Sequence, residues 1–133
     1  WVLSFKAYSG NCFFGDYAYG ATHSGVLVQS ANVPGGAYKA SVWSRVYRGA
    51  NASNSAMNGV GIDPTGGTDP LSAQISWSAL DSQSQQYVSY WREITTPVTQ
   101  VTGGRCTVLL EYVQNNTSGY HANCFDAARL TAE

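Results

Sequence analysis

Clusters of turn-forming residues interrupt this chain at short intervals, and their spacing limits the folds that it can adopt. Gly, Pro, Asn and Asp gather in SGN, HSG, VPGG, RGANASN, DPTGGTDP, VTGG and NNTSG. The segments between them are rich in β-branched and aromatic residues. We predict strands over residues 1–8, 13–19, 26–30, 37–47, 60–62, 74–77, 86–95, 106–113 and 124–130. Short strands at this spacing predict an all-β fold, either an antiparallel β-sandwich or a barrel.

Length and charge narrow the class of protein further. The 133 residues contain no linker, internal repeat or low-complexity tail, so we predict a single domain over residues 1–133. Charged residues make up only 11% of the chain, and the net charge is −1. Such a chain lacks the positive charge that nucleic acids and anionic membranes attract. It also has no apolar run long enough to span a membrane. We expect neither nucleic-acid binding nor membrane insertion.

Several features indicate an oxidising, extracellular or cell-surface setting. The chain has three cysteines, little charge and glycosylation sequons at Asn51, Asn115 and Asn116. It begins at Trp1 without a signal segment, so we expect a processed or trimmed chain.

The segment AYKASVWSRVY differs between its two faces, because a strand sends alternate side chains to opposite sides. Tyr38, Ala40, Val42 and Val46 form one face and are expected to lie in the core. The opposite face carries Lys39, Ser41, Trp43, Arg45 and Tyr47. Aromatic rings that alternate with hydrogen-bond donors suit a sugar-binding surface, since a flat ring packs on the C–H bonds of a pyranose. The structural interpretation, that a loop or the other sheet buries Trp43, is favoured for that residue.

Several motifs occur in an order that resembles a known family. They are HSG at 23–25, VPGGAYKASVW at 33–43, GIDPTGGTDP at 61–70 with the following Trp77, CTVLLEY at 106–112 and CFDAARL at 124–130. The chain resembles the jelly-roll carbohydrate-binding modules of the galactose-binding-like superfamily, of the extracellular bacterial type. The resemblance implies an antiparallel β-sandwich of jelly-roll type and a non-catalytic role.

Compared with the modules that it resembles, the chain differs near both of its ends. Such modules begin with a strand that pairs with the last strand. Here nothing precedes Trp1, so an open sheet edge is expected. Asp126 matches an acidic position that helps to bind a structural calcium in these modules. In the predicted last strand it shares a phase with Cys124, Ala128 and Leu130, so it is expected to face the interior. There it must find a cation, an Arg or backbone donors.

The stretch VGIDPTGGTDP offers a second candidate calcium site. Asp63 and Asp69 flank a Gly-Gly turn, and carboxylate and carbonyl oxygens are the ligands that calcium prefers. The favoured interpretation needs no ion, because Pro64 and Pro70 end the flanking strands and the aspartates can cap the turn. On this interpretation the stretch positions Trp77.

The cysteines allow a limited prediction of disulfide pairing. If the strands at 106–113 and 124–130 run antiparallel, Cys106 lies too far from Cys124 for a bridge. A disulfide between Cys12 and Cys124 is favoured, with Cys106 a buried thiol, and the alternative pair Cys12–Cys106 stays open.

Two functions remain, and neither is enzymatic, because no catalytic motif surrounds the Ser, His or Glu residues. The first is an extracellular module that binds a glycan or polysaccharide through aromatic stacking and hydrogen bonds. Its candidate ligand-binding residues are Trp43, Arg45, Tyr47, Lys39, Trp77, Trp91 and Tyr120. The strand face that carries Trp43 is favoured over two loop candidates, Tyr120–His121 and Tyr17–Tyr19. The second function is a structural or adhesive subunit of a surface assembly, joined to neighbouring copies of itself by strand exchange.

Overall fold

The computed structural model describes residues 7–10, 13–20, 22–49, 56–82, 90–115 and 119–133. Within these ranges the regular elements are all β-strands. They are β1 (Phe14–Tyr19), β2 (His23–Ala31), β3 (Gly36–Arg48), β4 (Ala56–Asp63), β5 (Ser76–Trp77), β6 (Asp81–Ser82), β7 (Arg92–Thr95), β8 (Thr99–Val101), β9 (Cys106–Gln114) and β10 (Tyr120–Ala132). The predicted segments at 1–8 and 86–95 lie partly outside the described residues. Asn51 and Asn116 lie wholly outside them.

The strands form two antiparallel sheets that pack face to face. Sheet A has the order β1-β10-β3-β7, with β8 also paired to β3. Sheet B has the order β2-β9-β4-β5, with β6 also paired to β4. Every pairing is antiparallel. The prediction of an all-β antiparallel sandwich is therefore confirmed.

The hydrophobic core lies between the sheets and follows the alternation of β3. Tyr38, Ala40, Val42 and Val46 are all buried, as the sequence predicts. The core cluster also includes Val60, Ile62, Val101, Cys106 and Phe125. The side chains on one face of β3 therefore pack between the two sheets. Those on the other face lie on the outer surface of sheet A.

Strand β10 corrects one prediction. Ala127 has a left-handed backbone with φ of 50°, and the pairing with β3 shifts between Asp126 and Arg129. This bulge moves the following side chains to the opposite face. Phe125 and Leu130 therefore pack on the core, whereas Asp126 lies opposite Trp43 on the outer side. The prediction that Asp126 shares a phase with Leu130 and faces the interior is wrong.

A buried chain of polar side chains runs beside the apolar core. Ser44 donates to Asp81 Oδ2 at 2.5 Å, and Asn58 Nδ2 donates to Ser44 Oγ at 2.9 Å. Asn123 Nδ2 donates to Asn58 Oδ1, and Gln114 Nε2 donates to Asn123 Oδ1, both at 2.7 Å. All five residues are buried. Their hydrogen bonds offset the cost of placing polar groups between the sheets.

The outer face of sheet B is covered by the chain that follows β4. Leu109 alternates with the core-facing side chains of β9 and is nevertheless fully buried. Ile75 and Trp77 lie over Gly61, where a Cβ atom would come within 2.7 Å of both side chains. Glycine at this position lets Trp77 pack against the strand. The Trp77 side chain therefore packs directly on the backbone of sheet B.

Candidate functional site

Three neighbouring strands bring tyrosines together on the outer face of sheet A. Tyr17 in β1 is aligned with Ala122 in β10, and Ala122 is aligned with Tyr47 in β3. One row further along, Tyr19 is aligned with Tyr120. We call Tyr17, Tyr19, Tyr47 and Tyr120 the tyrosine cluster. Strand alternation alone places these side chains on one surface, since their residue numbers share a phase within each strand.

The rings of Tyr17, Tyr19 and Tyr120 in the tyrosine cluster are close together and exposed. Tyr17 and Tyr120 have ring centroids 5.7 Å apart at an interplanar angle of 20°. Tyr19 and Tyr120 are 4.6 Å apart and tilted by 51°. Exposed fractions are 53% for Tyr17, 65% for Tyr19 and 38% for Tyr120. Contiguous exposed aromatic surface of this kind is typical of binding sites.

The Tyr17 hydroxyl of the cluster stays protonated near neutral pH. The pKa of Tyr17 lies above its ordinary value of 10.0, first because of partial desolvation and then because of Tyr120, which also hydrogen-bonds to it, and of Tyr47. A neutral phenol both donates and accepts a hydrogen bond. The cluster therefore combines apolar ring faces with hydroxyls that can pair with uncharged polar groups.

An aromatic and cationic group lies beside the cluster on sheet A. The Arg45 guanidinium lies 6.0 Å from the centre of the Trp91 ring. Phe13 meets the edge of the same ring at 5.7 Å and 76°. Desolvation by burial lowers the pKa of Arg45, and the neighbouring Cys124 acts in the opposite direction.

Trp43 lies further along the same face, but another ring covers it. Tyr8 stacks on Trp43 with a centroid separation of 3.7 Å and an angle of 13°. Ser9 N donates to Asp126 Oδ2 at 2.9 Å, which ties the segment that carries Tyr8 to β10. One face of the Trp43 ring is therefore not open for stacking.

The structure does not bring all the predicted ligand-binding residues together. Trp43, Arg45, Tyr47, Trp91 and Tyr120 belong to the outer side of sheet A, whereas Trp77 lies on sheet B. Lys39 is at the far end of β3, where its Nζ lies 2.7 Å from Glu133 Oε1. Tyr17, Tyr19 and Tyr120 were candidates for a loop site, and all three lie in strands. The strand face and the loop candidates Tyr17, Tyr19 and Tyr120, considered as alternatives, therefore form one surface, whereas the candidate His121 is buried.

Sequence reasoning left Tyr8, Tyr17 and Tyr19 out of the favoured face. A signal for two of them exists, because the alternation in FGDYAY places Tyr17 and Tyr19 on the same side of a strand. No signal exists for Tyr8, whose position depends on how the segment before β1 crosses the sheet.

The three aspartates predicted as calcium ligands all accept hydrogen bonds from nearby groups. Asp63 Oδ1 accepts from Thr65 N at 2.8 Å and from Thr65 Oγ1 at 2.7 Å. Asp69 Oδ1 accepts from Leu71 N at 2.9 Å. Asp126 accepts from Ala127 N at 2.6 Å as well as from Ser9 N. Within the described ranges, no group of three or more acidic, Cys or His side chains could hold a metal ion. Calcium binding stays a prediction.

The cysteines correct the predicted disulfide. Cys106 and Cys124 are both free and buried, so neither of the two disulfides considered is present. Cys124 Sγ points to the outer side of β10, 3.7 Å from the position of a Cβ on Gly15. Cys12 itself lies outside the described residues. Burial raises the pKa of Cys124 to about 12, an effect that Asp16 adds to and Arg45 opposes.

The fold is similar to that of two solved structures. One similar structure is TmCBM61 in complex with β-1,4-galactotriose, at a TM-score of 0.66 and 16% identity over 96% of this chain and 75% of that chain. Another is the C-terminal domain of EclA, a sugar-binding protein, at a TM-score of 0.57 and 12% identity over 92% of this chain and 81% of that chain. No protein-family model and no curated protein matches the chain. The likeness confirms the resemblance to carbohydrate-binding modules at the level of the fold.

A search of the described residues found no helix with the length and hydropathy needed to cross a bilayer.

Proposed function

We propose that this protein is a non-catalytic, extracellular carbohydrate-binding domain whose glycan site is the tyrosine cluster on sheet A. The observation that carries the proposal is the exposure of three adjacent tyrosine rings, Tyr17, Tyr19 and Tyr120, on one sheet face. Two proteins with the same fold bind sugars according to their descriptions, which supports the proposal.

The chemistry of the cluster suits sugar recognition. A pyranose presents an apolar C–H face that packs on an aromatic ring, and its hydroxyls need partners that both donate and accept. Phenol side chains supply both an aromatic face and a hydroxyl. Because its pKa is raised, Tyr17 stays protonated near neutral pH and serves as a hydrogen-bond partner rather than as a general base.

Glycan-array screening followed by calorimetry with a bound glycan tests this proposal. We expect Tyr17→Ala and Tyr120→Ala each to weaken binding by about tenfold, because each removes a stacking ring. Tyr90→Ala is the matched control, since Tyr90 is 54% exposed but contacts the Arg92 guanidinium at 4.9 Å. Undiminished binding in both cluster variants contradicts the proposed site, and the absence of binding to any glycan contradicts the function.

A second candidate function is assembly with neighbouring copies by strand addition. Strand β1 pairs with β10 only as far as Phe14 and Phe125. Among the described strands, none pairs with the β1 side of β10 beyond that point. An apolar cavity of about 360 Å³ lies beside this edge, lined by residues that include Leu27, Leu110 and Leu130. A free strand edge next to an apolar groove can accept a strand from a second copy.

Light scattering during size-exclusion chromatography tests the assembly candidate. Assembly predicts oligomers that grow with concentration and that dissociate in Leu27→Lys, which places a charge in the groove. Circular dichroism of this variant shows whether the sandwich is retained. A monomer at all concentrations contradicts assembly, and it leaves the glycan proposal unaffected.

A further inference from the structure

The tyrosine cluster extends across three strands rather than along one. Tyr17 and Tyr47 are both aligned with Ala122, which lies between them on β10. Neighbouring strands are about 4.8 Å apart, so the backbone positions of the two tyrosines are separated by about 10 Å. Ala122 contributes only a methyl group between them. Tyr17 and Tyr47 therefore lie at the two ends of a row of three aligned residues that runs across the strands.

In the adjacent row, a small residue just after the end of β3 lies next to Tyr120. Tyr19 and Tyr120 are aligned, and Gly49 N donates to Tyr120 O at 2.7 Å. A Cβ on Gly49 would lie only 3.0 Å from Tyr120 Cβ. Glycine here permits the close approach of this backbone to Tyr120. The described part of this surface thus has small residues between and beside its aromatic rings.

Rings that are this exposed form a platform and not an enclosed pocket. Tyr17 and Tyr19 each keep more than half of their surface open to solvent, at 53% and 65%. Recognition of a glycan end requires side chains that surround the terminal sugar and pair with its extra hydroxyl. A platform contacts ring faces instead, and successive sugars of a chain present such faces repeatedly.

We propose that the tyrosine cluster binds an internal stretch of a neutral glycan chain, which lies across β1, β10 and β3 with sugar rings on Tyr17, Tyr19 and Tyr120 and further rings on Tyr47. This inference rests on the proposed glycan-binding function and adds the mode of recognition. The Tyr17 hydroxyl, whose pKa is raised by desolvation and by Tyr120, suits uncharged sugar hydroxyls as partners.

Affinity electrophoresis in gels that contain β-1,4-galactan, xylan, mannan or hydroxyethylcellulose identifies a retarding polysaccharide. Oligosaccharides of one to six residues from that polysaccharide then serve as probes in calorimetry. We expect affinity to rise by at least about tenfold between the monosaccharide and the tetrasaccharide, because a longer chain reaches both sides of the row. Reduction of the reducing end or methylation of the non-reducing end of the hexasaccharide should change its affinity less than about twofold, a difference of roughly 0.4 kcal/mol.

Two variants distinguish the loss of a contact with the glycan chain from a loss of the protein fold. Tyr47→Ala should remove most of the gain with length while the disaccharide still binds, and Tyr90→Ala should leave the length profile unchanged. Equal affinity for monosaccharide and hexasaccharide, or loss of binding after end modification, overturns the internal-chain inference while the glycan-binding function stands. Retardation by none of the four polysaccharides overturns this inference, whereas the proposed function falls only if the glycan array also shows no binding.

Discussion

Tyr8 lies face to face with Trp43, with 3.7 Å between the ring centroids and 13° between the planes. The contact joins the segment before β1 to the middle of β3. Asp126 holds the same segment through Ser9 N. The outer face of sheet A therefore has two parts, one covered by the chain itself and one, the tyrosine cluster, left open.

Removal of the Tyr8 ring should expose Trp43. We expect Tyr8→Ala to shift the tryptophan emission to longer wavelength and to lower the free energy of unfolding by about 1 kcal/mol, as expected for a lost aromatic pair. The difference spectrum against Trp43→Phe assigns the shift to this ring. Tyr90→Ala should leave the emission unchanged, and an unchanged spectrum in Tyr8→Ala would show that the pair does not form in solution.

Asp126 should stabilise the protein through backbone donors. Asp126→Ala leaves Ser9 N and Ala127 N without their acceptor, so we expect a loss of about 1–3 kcal/mol in urea unfolding. The loss should be the same in calcium and in chelator, because both donors belong to the chain. Asp69→Ala, which removes the acceptor of a single exposed turn amide, should cost less. Saturable calcium stabilisation that disappears in Asp126→Ala would support the calcium prediction instead.

The two long strands of sheet A, β3 and β10, show which features could be predicted from the sequence pattern and which could not. In β3 no bulge changes the alternation of the two faces, so the core face of Tyr38, Ala40 and Val42 could be predicted. In β10 the left-handed Ala127 shifts the phase, and no glycine marks that position in the sequence. The prediction for Asp126 was wrong for this reason.

The candidate site also has one part that the sequence could predict and one part that it could not. Tyr47 could be placed on the outer face because β3 was predicted with the correct phase. Tyr17 and Tyr120 come next to it only through the pairing of β1 with β10, which are separated by most of the chain. Strand periodicity shows which side of its own strand a residue lies on, but not which strand becomes its neighbour. The pairing of distant strands is therefore the part that required the structure.

Gly61 should be intolerant of even a methyl group. Gly61→Ala places a Cβ within 2.7 Å of Ile75 and Trp77, which must move away from the outer face of sheet B. We expect a loss of about 1–3 kcal/mol. Gly36→Ala is the matched control, because its nearest contact would be 3.5 Å from Tyr38 and thus ordinary packing. Equal stability of the two variants would contradict the close packing of Trp77 on β4.

Asn58 should hold the buried polar chain together. It donates to Ser44 Oγ and to the Cys124 carbonyl, and it accepts from Asn123. Asn58→Ala leaves these buried groups without partners, so we expect a loss of about 2 kcal/mol or more. Ser30→Ala removes a less buried hydrogen bond to Thr107 and should cost less than 1.5 kcal/mol, the upper end for a typical bond. A smaller loss in Asn58→Ala than in Ser30→Ala would show that water replaces the missing side chain.

The Cys124 thiol should make stability depend on pH in the alkaline range. Its pKa is raised from 9.0 to about 12 in the folded protein, chiefly by burial. Below pH 9 the thiol is protonated in both states, so this contribution to stability is fully present there. As pH rises from 9 towards 12, the unfolded chain loses the proton first, and stability falls by about 1.4 kcal/mol for each pH unit.

Urea unfolding of the wild type and of Cys124→Ala between pH 7 and pH 11 isolates this group. Other groups with raised pKa values, such as Tyr112 and Cys106, titrate in both proteins, so their effects cancel in the difference. We expect the difference in unfolding free energy to be constant up to pH 9 and then to change steadily in favour of the variant. A difference that stays constant to pH 11 would show that Cys124 is accessible to solvent and ionises in the folded protein as it does in the unfolded chain.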